Sequence, residues 1–402
     1  MVTTSLSVDD ERGVGAILTV DLQAIISNYF SLRRAAGSAA CAAVLKADGY
    51  GLGALPVARK LFAAGCREFF VATVDEALSL RPALPPPGRI YVLSAPVAAI
   101  GLLAAQGIVP VANTFGDLET ILDCSRRAGR IFPVTLQIDT GMSRLGVSMA
   151  ELPRVRALLN RSGVTLDLVI SHLANAADPQ DQLNSRQLHA FQSATGHLPH
   201  ARRSLAASSG IFLGSRFGFD LVRPGAALYG VNPAPWMKDA PVCDVVTLRS
   251  QVLQIRTVRA GTGVGYGPQH LIRRDSKLAT VALGYADGLL RSGRDRVALW
   301  HGRQRLSVLG SMNMDCVTVD VTDVRDESLE AGSWLDVIGP HQSVDALASA
   351  LGTTGYEALV TIGRRIQRKY LNPECGMEPA TSAAAHLAQQ GRGPRRPSPT
   401  TT

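Results

Sequence analysis

The chain has 402 residues, of which 46% are hydrophobic and 18% are charged. This length exceeds what a single hydrophobic core usually supports, so the sequence predicts two domains. The formal net charge is +8, but Arg392, Arg395 and Arg396 lie in the C-terminal stretch GRGPRRPSPTTT. No basic run interleaved with aromatic residues occurs elsewhere, which argues against nucleic-acid binding.

The cysteines and the apolar runs predict a compartment and exclude several kinds of site. The six cysteines are scattered and form no CxxC pair, which argues against a zinc site or a disulfide framework and is typical of a reducing cytosol. No apolar run approaches the ~20 residues that span a bilayer, and residues 1–16 lack the order of a signal peptide. We therefore expect a cytoplasmic protein with no metal and no membrane partner.

Residues 17–238 alternate short apolar runs with helical patterns. The runs CAAVLK, EFFVATV, RIYVLSA, IVPVANT, IFPVTLQID and VTLDLVISHLA are separated by patterns such as DLETILDCSRRAG. Continuous apolar strands separated by helices predict parallel strands that are covered on both faces. Some seven or eight such units in this length favour an N-terminal (β/α)8 barrel of the TIM type over an open sheet.

A mainly β domain is predicted over residues 239–373. There Val317, Val319 and Val321 alternate with polar residues, as on a half-buried antiparallel strand. Residues 1–16 and 374–402 show no such pattern, and the second of these segments is rich in Ala, Gln, Gly, Pro, Ser and Thr. We expect a flexible N-terminal tail and a disordered C-terminal tail.

Polar residues follow several of the predicted barrel strands, at the strand ends where barrel active sites lie. Each one alone is explained by solvation, by core packing or by a helix cap, and a lone lysine is most simply a solvated surface residue. Together at one barrel mouth they favour a binding site. The residues are Lys46, Arg144, His172, Ser208, Ser209 and Arg223.

The chemistry of this group predicts a ligand. Cations beside the turns SSG and RPGA are suited to phosphate and carboxylate groups, which backbone N–H groups and hydroxyls can hold. A lysine facing such a ligand indicates a Schiff base with an aldehyde. The residues thus predict a pyridoxal-phosphate barrel, whereas the motifs GYG, GYADG and SMNMD are, taken singly, ordinary loops.

The motifs taken together resemble those of the bacterial alanine racemases, over about residues 17–373. They are AVLKADGYGLGA, IDTGMSRLG, SHLANAAD, FDLVRPGAALYG, GVGYG, GYADG, MNMD and TTGYE. The resemblance implies a (β/α)8 barrel followed by a β domain, in a homodimer whose active sites are completed across the interface. It also implies that the chain interconverts L-alanine and D-alanine with pyridoxal 5'-phosphate and supplies D-alanine for peptidoglycan.

The resemblance assigns roles to individual residues. Lys46 holds the cofactor and is one catalytic base, and Tyr266, from the partner subunit, is the other. Two bases on opposite faces suit racemisation, because a single base returning its own proton would restore the starting enantiomer. The cofactor-binding positions also include Tyr50, Arg144, His172, Ser208, Ser209, Arg223, Gly225, Ala226 and Tyr356. The substrate-contacting or entrance positions are Arg144, Met314, Tyr285 and Asp315.

Two positions depart from the family pattern. Many members carry a carbamylated lysine seven residues before the motif arginine, where this chain has Gln137. Since an amide carries no negative charge, we expect another neighbour to orient Arg144 and little dependence on bicarbonate. Ser208 stands where an asparagine is common, and a hydroxyl can still donate one hydrogen bond.

Three other functions stay open at this point. A racemase for serine or for several small amino acids would carry the same motifs. A non-catalytic pyridoxal-phosphate carrier also uses a barrel and a lysine, but lacks the second domain and the tyrosine base. A decarboxylase of the same two-domain architecture would lack GVGYG and an arginine at position 223.

Overall fold

The computed structural model describes residues 13–239, 241–267, 270–326 and 328–372. The predicted C-terminal tail, 374–402, and residues 1–12 of the predicted N-terminal tail lie outside the described residues. Within the described part of the chain, no helix has the length and hydropathy needed to cross a membrane.

The first strand, β1 (Ala16–Asp21), joins the sheet of the second domain and not the barrel. Its backbone pairs antiparallel with Val246–Val258 and parallel with Gln367–Leu371. The sequence pattern places residues 17–21 in the barrel unit, because the strand–helix alternation begins there. The strands that pair with β1 lie far along the chain, so the local sequence does not indicate which sheet β1 joins. The division between residues 238 and 239 stays a prediction.

Short parallel strands form the N-terminal barrel. They are β2 (Ala40–Cys41), β3 (Ala43–Val44), β4 (Glu68–Val71), β5 (Arg89–Val92), β6 (Val109–Ala112), β7 (Val134–Gln137), β8 (Leu166–Ile170), β9 (Arg202–Ser204) and β10 (Leu221–Val222). Strands β3 to β9 pair in chain order, and β10 pairs with β2. The Asp220 N–H donates to the Arg203 carbonyl at 3.0 Å, which joins β10 to β9 and closes the ring. The predicted barrel is confirmed.

The helices follow the barrel strands and cover them, and the last two belong to the second domain. They are α1 (Leu22–Ala35), α2 (Lys46–Tyr50), α3 (Ala54–Ala63), α4 (Val74–Leu80), α5 (Ile100–Ala105), α6 (Phe115–Ala128), α7 (Leu152–Ser162), α8 (Gln182–Gly196), α9 (Val344–Leu351) and α10 (Gly355–Val360). Helix α1 begins at Leu22 because the Asp21 carboxylate accepts the N–H groups of Gln23 and Ala24.

Alternation along the barrel strands produces two apolar layers. One set of side chains fills the barrel interior: Ala42, Val44, Phe70, Tyr91, Val109, Val111, Leu168, Ile170 and Leu221. The other set, with Phe69 and Val71 as examples, packs in the large core that contains the apolar helix faces. The barrel is therefore filled, and the space for a ligand lies at its mouth.

The C-terminal domain is built mainly from antiparallel strands. They are β11 (Val246–Val258), β12 (Gly263–Val264), β13 (His270–Leu271), β14 (Ser276–Val281), β15 (Ala298–His301), β16 (Gln304–Leu309), β17 (Val317–Asp320), β18 (Trp334–Ile338) and β19 (Gln367–Leu371). The main sheet has the order β14-β17-β16-β15-β18-β11-β1-β19. In β17, Val317 and Val319 are buried and Thr318 and Asp320 are half-buried, so the predicted alternation is confirmed.

Candidate active site

Lys46 lies at the carboxyl end of the barrel strand β3, two residues after that strand ends. Burial lowers the pKa of its ammonium group, and the nearby positive charge of Arg144 lowers it further. The Glu76 carboxylate acts in the opposite direction. The net effect moves Lys46 towards the neutral amine that acts as a nucleophile or a base.

The short segment α2 is not a right-handed helix, because the four residues after Lys46 form a left-handed turn. Ala47, Asp48, Gly49 and Tyr50 have φ values of 54°, 53°, 62° and 56°. Residues other than glycine cost about 1–2 kcal/mol each in this region, so the surrounding structure must hold the turn. The Asp48 carboxylate accepts the Ala54 N–H at 2.8 Å, and the Glu76 carboxylate accepts the Ala47 N–H at 2.6 Å.

Tyr50 lies against the turn that follows β10. Its ring stacks on Tyr229 with centroids 4.8 Å apart, and a Cβ at position 225 would overlap its hydroxyl oxygen. Only glycine permits this approach between Gly225 and the phenol. The Ser208 Oγ accepts the N–H groups of Gly225 at 3.0 Å and Ala227 at 3.2 Å, which leaves the hydroxyl proton of Ser208 free to donate.

The hydroxyl of Tyr50 stays protonated. Burial, and then the neighbouring Tyr356, raise its pKa to about 12. Tyr356 lies on α10 and is half-exposed. Ser209 and Ala226 begin the short turns Ser209–Leu213 and Ala226–Tyr229. The barrel mouth thus gathers hydroxyl and backbone donors around one position, as anion binding requires.

Arg223 is a buried cation, with 5% of its surface exposed. Its guanidinium donates to the Ser204 carbonyl at 2.8 Å, to the Ser204 hydroxyl and to the Ser171 carbonyl at 2.5 Å. Burial lowers its pKa to about 10, so it stays protonated at neutral pH. Among the described residues no carboxylate pairs with it, which makes it a site for an acceptor brought by a ligand.

His172 stays neutral in this setting. Its pKa falls to about 3, because of burial first and then the charges of Arg223, Arg144 and Lys46. The sequence alone left open which group carries the positive charge on this side of the site. In the structure the charge belongs to Arg223, and the imidazole is uncharged.

Arg144 lies on an exposed loop that folds back on the end of β7. The Asp139 carboxylate accepts the N–H groups of Gly141 and Met142 at 2.9 Å, and the Val147 N–H donates to the Gln137 carbonyl at 2.9 Å. The Gln137 side chain donates to the carbonyl of Leu145 at 2.9 Å. Gln137 therefore holds the backbone beside Arg144 and makes no hydrogen bond to its guanidinium in the described structure.

The remaining predicted residues form a second group, on the C-terminal domain. They are Tyr266, Tyr285, Met314 and Asp315, all of them exposed. The Tyr285 N–H donates to the Asn313 carbonyl at 3.0 Å, and Asp315 pairs with Arg365 at 2.6 Å. Tyr266 is 78% exposed, and within the described residues no hydrogen bond or ring contact joins it to the barrel mouth. In the described part of a single chain, Tyr266 therefore has no such contact with the residues of the barrel mouth.

Several residues that position the site were missed in the sequence. Ser204 holds Arg223, Arg365 joins Asp315 to Asp287, and Glu76 bonds the turn after Lys46. Only Glu76 had a sequence signal, since Thr73 and Glu76 have the spacing of a capping box.

Comparisons with known proteins agree with this arrangement. Residues 20–233 match the family described as alanine racemase, N-terminal domain, and residues 245–370 match alanine racemase, C-terminal domain. The chain is 40% identical to the alanine racemase of Brucella abortus, over 90% of this chain and 96% of that protein. It is 42% identical to a catabolic alanine racemase of Mesorhizobium japonicum, over 90% and 94% of the two chains.

A solved structure gives the same result for the fold. The alanine racemase of Bartonella henselae, with covalently bound pyridoxal phosphate, aligns with a TM-score of 0.85 and 39% identity. The alignment covers 89% of this chain and 99% of that one. Both domain families match in order, and these relatives are covered almost from end to end. The chain therefore belongs to the alanine racemase family.

Proposed function

We propose that this chain racemises alanine with pyridoxal 5'-phosphate, using Lys46 and Tyr266 as two bases. The observation that carries the proposal is the barrel mouth, where an amine with a lowered pKa lies near hydroxyl donors and a buried guanidinium that has no carboxylate partner among the described residues. The cofactor bound to the Bartonella henselae relative has an aldehyde-derived linkage, a phosphate and a ring nitrogen, and each of these groups has a suitable partner here.

The residues fit the cofactor at both ends. The phosphate would be held by hydroxyl and backbone donors: Tyr50, Ser208, Ser209, Gly225, Ala226 and Tyr356. In this chain the Gly225 N–H is bonded to Ser208, so the Ser208 proton would stand in for it as the donor. Arg223 would donate to the ring nitrogen, with the neutral His172 beside it. Arg144 would reach the phenolic oxygen.

The cofactor, when bound, withdraws electrons from the substrate and so makes its α-proton removable. The protein must then take a proton from one face and deliver one to the other. Lys46 would serve one face, because its lowered pKa favours the neutral amine that can take a proton. Tyr266 would serve the opposite face.

Tyr266 would act in the site of a partner subunit. Its exposure, at 78%, and its position on the C-terminal domain support a homodimer in which each site is completed by the other chain. Tyr285, Met314 and Asp315 would arrive with it and line the entrance and the substrate pocket. The barrel mouth and the exposed group on the C-terminal domain would then form one site.

We further infer that the protein works in the bacterial cytoplasm and supplies D-alanine for peptidoglycan. The support is the family membership together with the cysteines in the described part of the chain, which form no disulfide. Expression of the chain in a bacterium that requires external D-alanine should restore growth without it. Growth restored equally by a Lys46→Ala variant would contradict this role.

The reaction itself is tested by incubating the full chain with pyridoxal 5'-phosphate and L-alanine and separating the enantiomers by chiral chromatography. D-alanine should form until the two enantiomers are equal. In deuterated water, Tyr266→Phe should abolish exchange of the α-proton of L-alanine and spare exchange in D-alanine. Equal conversion of L-serine would favour the broad-specificity alternative, and no conversion of either amino acid would overturn the proposal.

A further inference from the structure

Glu76 lies at the start of α4, and both oxygens of its carboxylate accept hydrogen bonds from backbone N–H groups. These N–H groups follow the ends of two different strands. Oε2 accepts the N–H groups of Ala72 at 2.8 Å and Thr73 at 3.2 Å, after β4. Oε1 accepts the N–H of Ala47 at 2.6 Å, after β3. The Glu76 N–H donates to the Thr73 hydroxyl at 3.4 Å, which completes a capping box.

Helix α6 also begins with a capping box, which is formed by Thr114 and Asp117. Asp117 Oδ2 accepts the N–H groups of Asn113 at 2.9 Å and Thr114 at 3.0 Å, and the Asp117 N–H donates to the Thr114 hydroxyl at 3.0 Å. Among the described residues, Asp117 accepts no N–H from a neighbouring strand end. Capping alone therefore does not account for the bond from Glu76 to Ala47.

That bond falls on the first residue of the strained turn. Ala47 begins the left-handed run, Lys46 directly precedes it, and Tyr50 ends it. Left-handed conformations at residues other than glycine persist only where the surroundings hold them. We propose that Glu76 is a positioning residue that holds the turn and thereby fixes Lys46 and Tyr50 at the barrel mouth.

The charge of Glu76 acts on the same lysine. Arg144, Glu76 and the neutral His172 are the ionisable neighbours of Lys46 in the site, and Glu76 is the one that raises the pKa of the ammonium group. Glu76 thus limits how far Arg144 and burial depress that pKa. Its role in holding the cofactor's lysine depends on the proposed function, whereas its bond to Ala47 is present in the protein alone.

The test compares Glu76→Ala with the matched control Asp117→Ala, both in the full chain. The melting temperature is measured without cofactor, and the dissociation constant of pyridoxal 5'-phosphate is measured by absorbance titration. Asp117→Ala should lose the stability of one capping box, and Glu76→Ala should lose more melting temperature, because it also loses the bond to Ala47. Only Glu76→Ala should also bind the cofactor about tenfold more weakly, which is about 1.4 kcal/mol.

A second variant keeps the test decisive if Glu76→Ala does not fold. Glu76→Gln retains one oxygen that can accept the Ala47 N–H, so it should bind the cofactor more weakly than the wild type without losing binding completely. Where Glu76→Ala folds, the affinity of Glu76→Gln should be higher than that of Glu76→Ala. Equal cofactor affinity in the Glu76 variants and Asp117→Ala would overturn the inference. A wild-type chain that fails to bind pyridoxal 5'-phosphate would instead overturn the proposed function.

Discussion

At the scale of single residues, burial sets the charge states at the barrel mouth. Arg223 keeps its proton, since burial lowers its pKa only to about 10, whereas His172 loses its proton because its pKa falls to about 3. The two side chains therefore differ in charge at neutral pH. Residue type alone could not show this, because it depends on contacts between residues that are distant in the chain.

The depressed pKa of His172 predicts how stability depends on pH. Between the ordinary value of 6.5 and the folded value of about 3, the unfolded chain binds a proton that the folded chain excludes. Stability is therefore lost as the pH falls below 6.5 and is unaffected by this group above it. Between about pH 7.5 and 5 the cofactor-free protein should lose about 1–2 kcal/mol more than His172→Gln. Urea denaturation at each pH measures this, and parallel curves would contradict the assignment.

Gln137 predicts that activity does not depend on bicarbonate. Its amide holds the Leu145 carbonyl at 2.9 Å, so the loop that carries Arg144 is fixed without a carbamate. Initial rates of enzyme stripped of carbon dioxide should therefore be the same with and without added bicarbonate. The Gln137→Lys variant is the comparison, because a lysine there can form the carbamate and should acquire a bicarbonate response. Restoration of wild-type activity by bicarbonate would show the prediction to be wrong.

At the scale of elements, the sequence predicted the strands well and the turns poorly. Alternation at Val317 and Val319 and the apolar run at Glu68–Val71 are local patterns, and both segments are strands. The left-handed turn at Ala47–Tyr50 was not predicted, because neither alanine nor tyrosine favours positive φ. Contacts from other elements impose that conformation, and a single sequence does not reveal them.

The loop after this turn gives a prediction about stability. Gly53 has φ of 96°, and a Cβ there would overlap the hydroxyl of Tyr370, which donates to the Leu52 carbonyl at 2.9 Å. Gly53→Ala should therefore cost about 2–4 kcal/mol of unfolding free energy, from backbone strain and the displaced tyrosine. Gly37→Ala is the control, since Gly37 has φ of 66° and nothing within 4 Å. It should cost about 1 kcal/mol, and equal losses in chemical denaturation would refute the contact.

At the scale of the whole molecule, the order of the two domains was predictable and their connection was not. The change from strand–helix alternation to antiparallel patterning marks two domains. The first described strand, β1, nevertheless lies in the sheet of the second domain, where it pairs with β19. From that strand, Arg368 donates to the Gly51 carbonyl at 3.2 Å and Tyr370 to the Leu52 carbonyl. The C-terminal sheet thus braces the loop that follows Lys46.

The predicted site residues lie on both domains. Within the described part of one chain, no hydrogen bond or ring contact joins Tyr266 to the barrel mouth. Ten positions, from Lys46 to Tyr356, are predicted to bind the cofactor, while Tyr266 lies exposed on the C-terminal domain. Motifs can assign both groups to one reaction, whereas in the proposed homodimer the geometry that joins them would come from a second copy of the chain. The proposed reaction requires the Lys46 of one subunit to work with the Tyr266 of its partner.

Mixing two inactive variants tests this claim most directly. Lys46→Ala and Tyr266→Phe, each inactive in L-alanine racemisation, are unfolded, combined in equal amounts and refolded together. About half of the dimers then contain one chain of each kind, and each of these has one intact site out of two. The account predicts recovery of about a quarter of wild-type racemase activity, with none when either variant is refolded alone. No recovery in the mixture, with mixed dimers present, would contradict it.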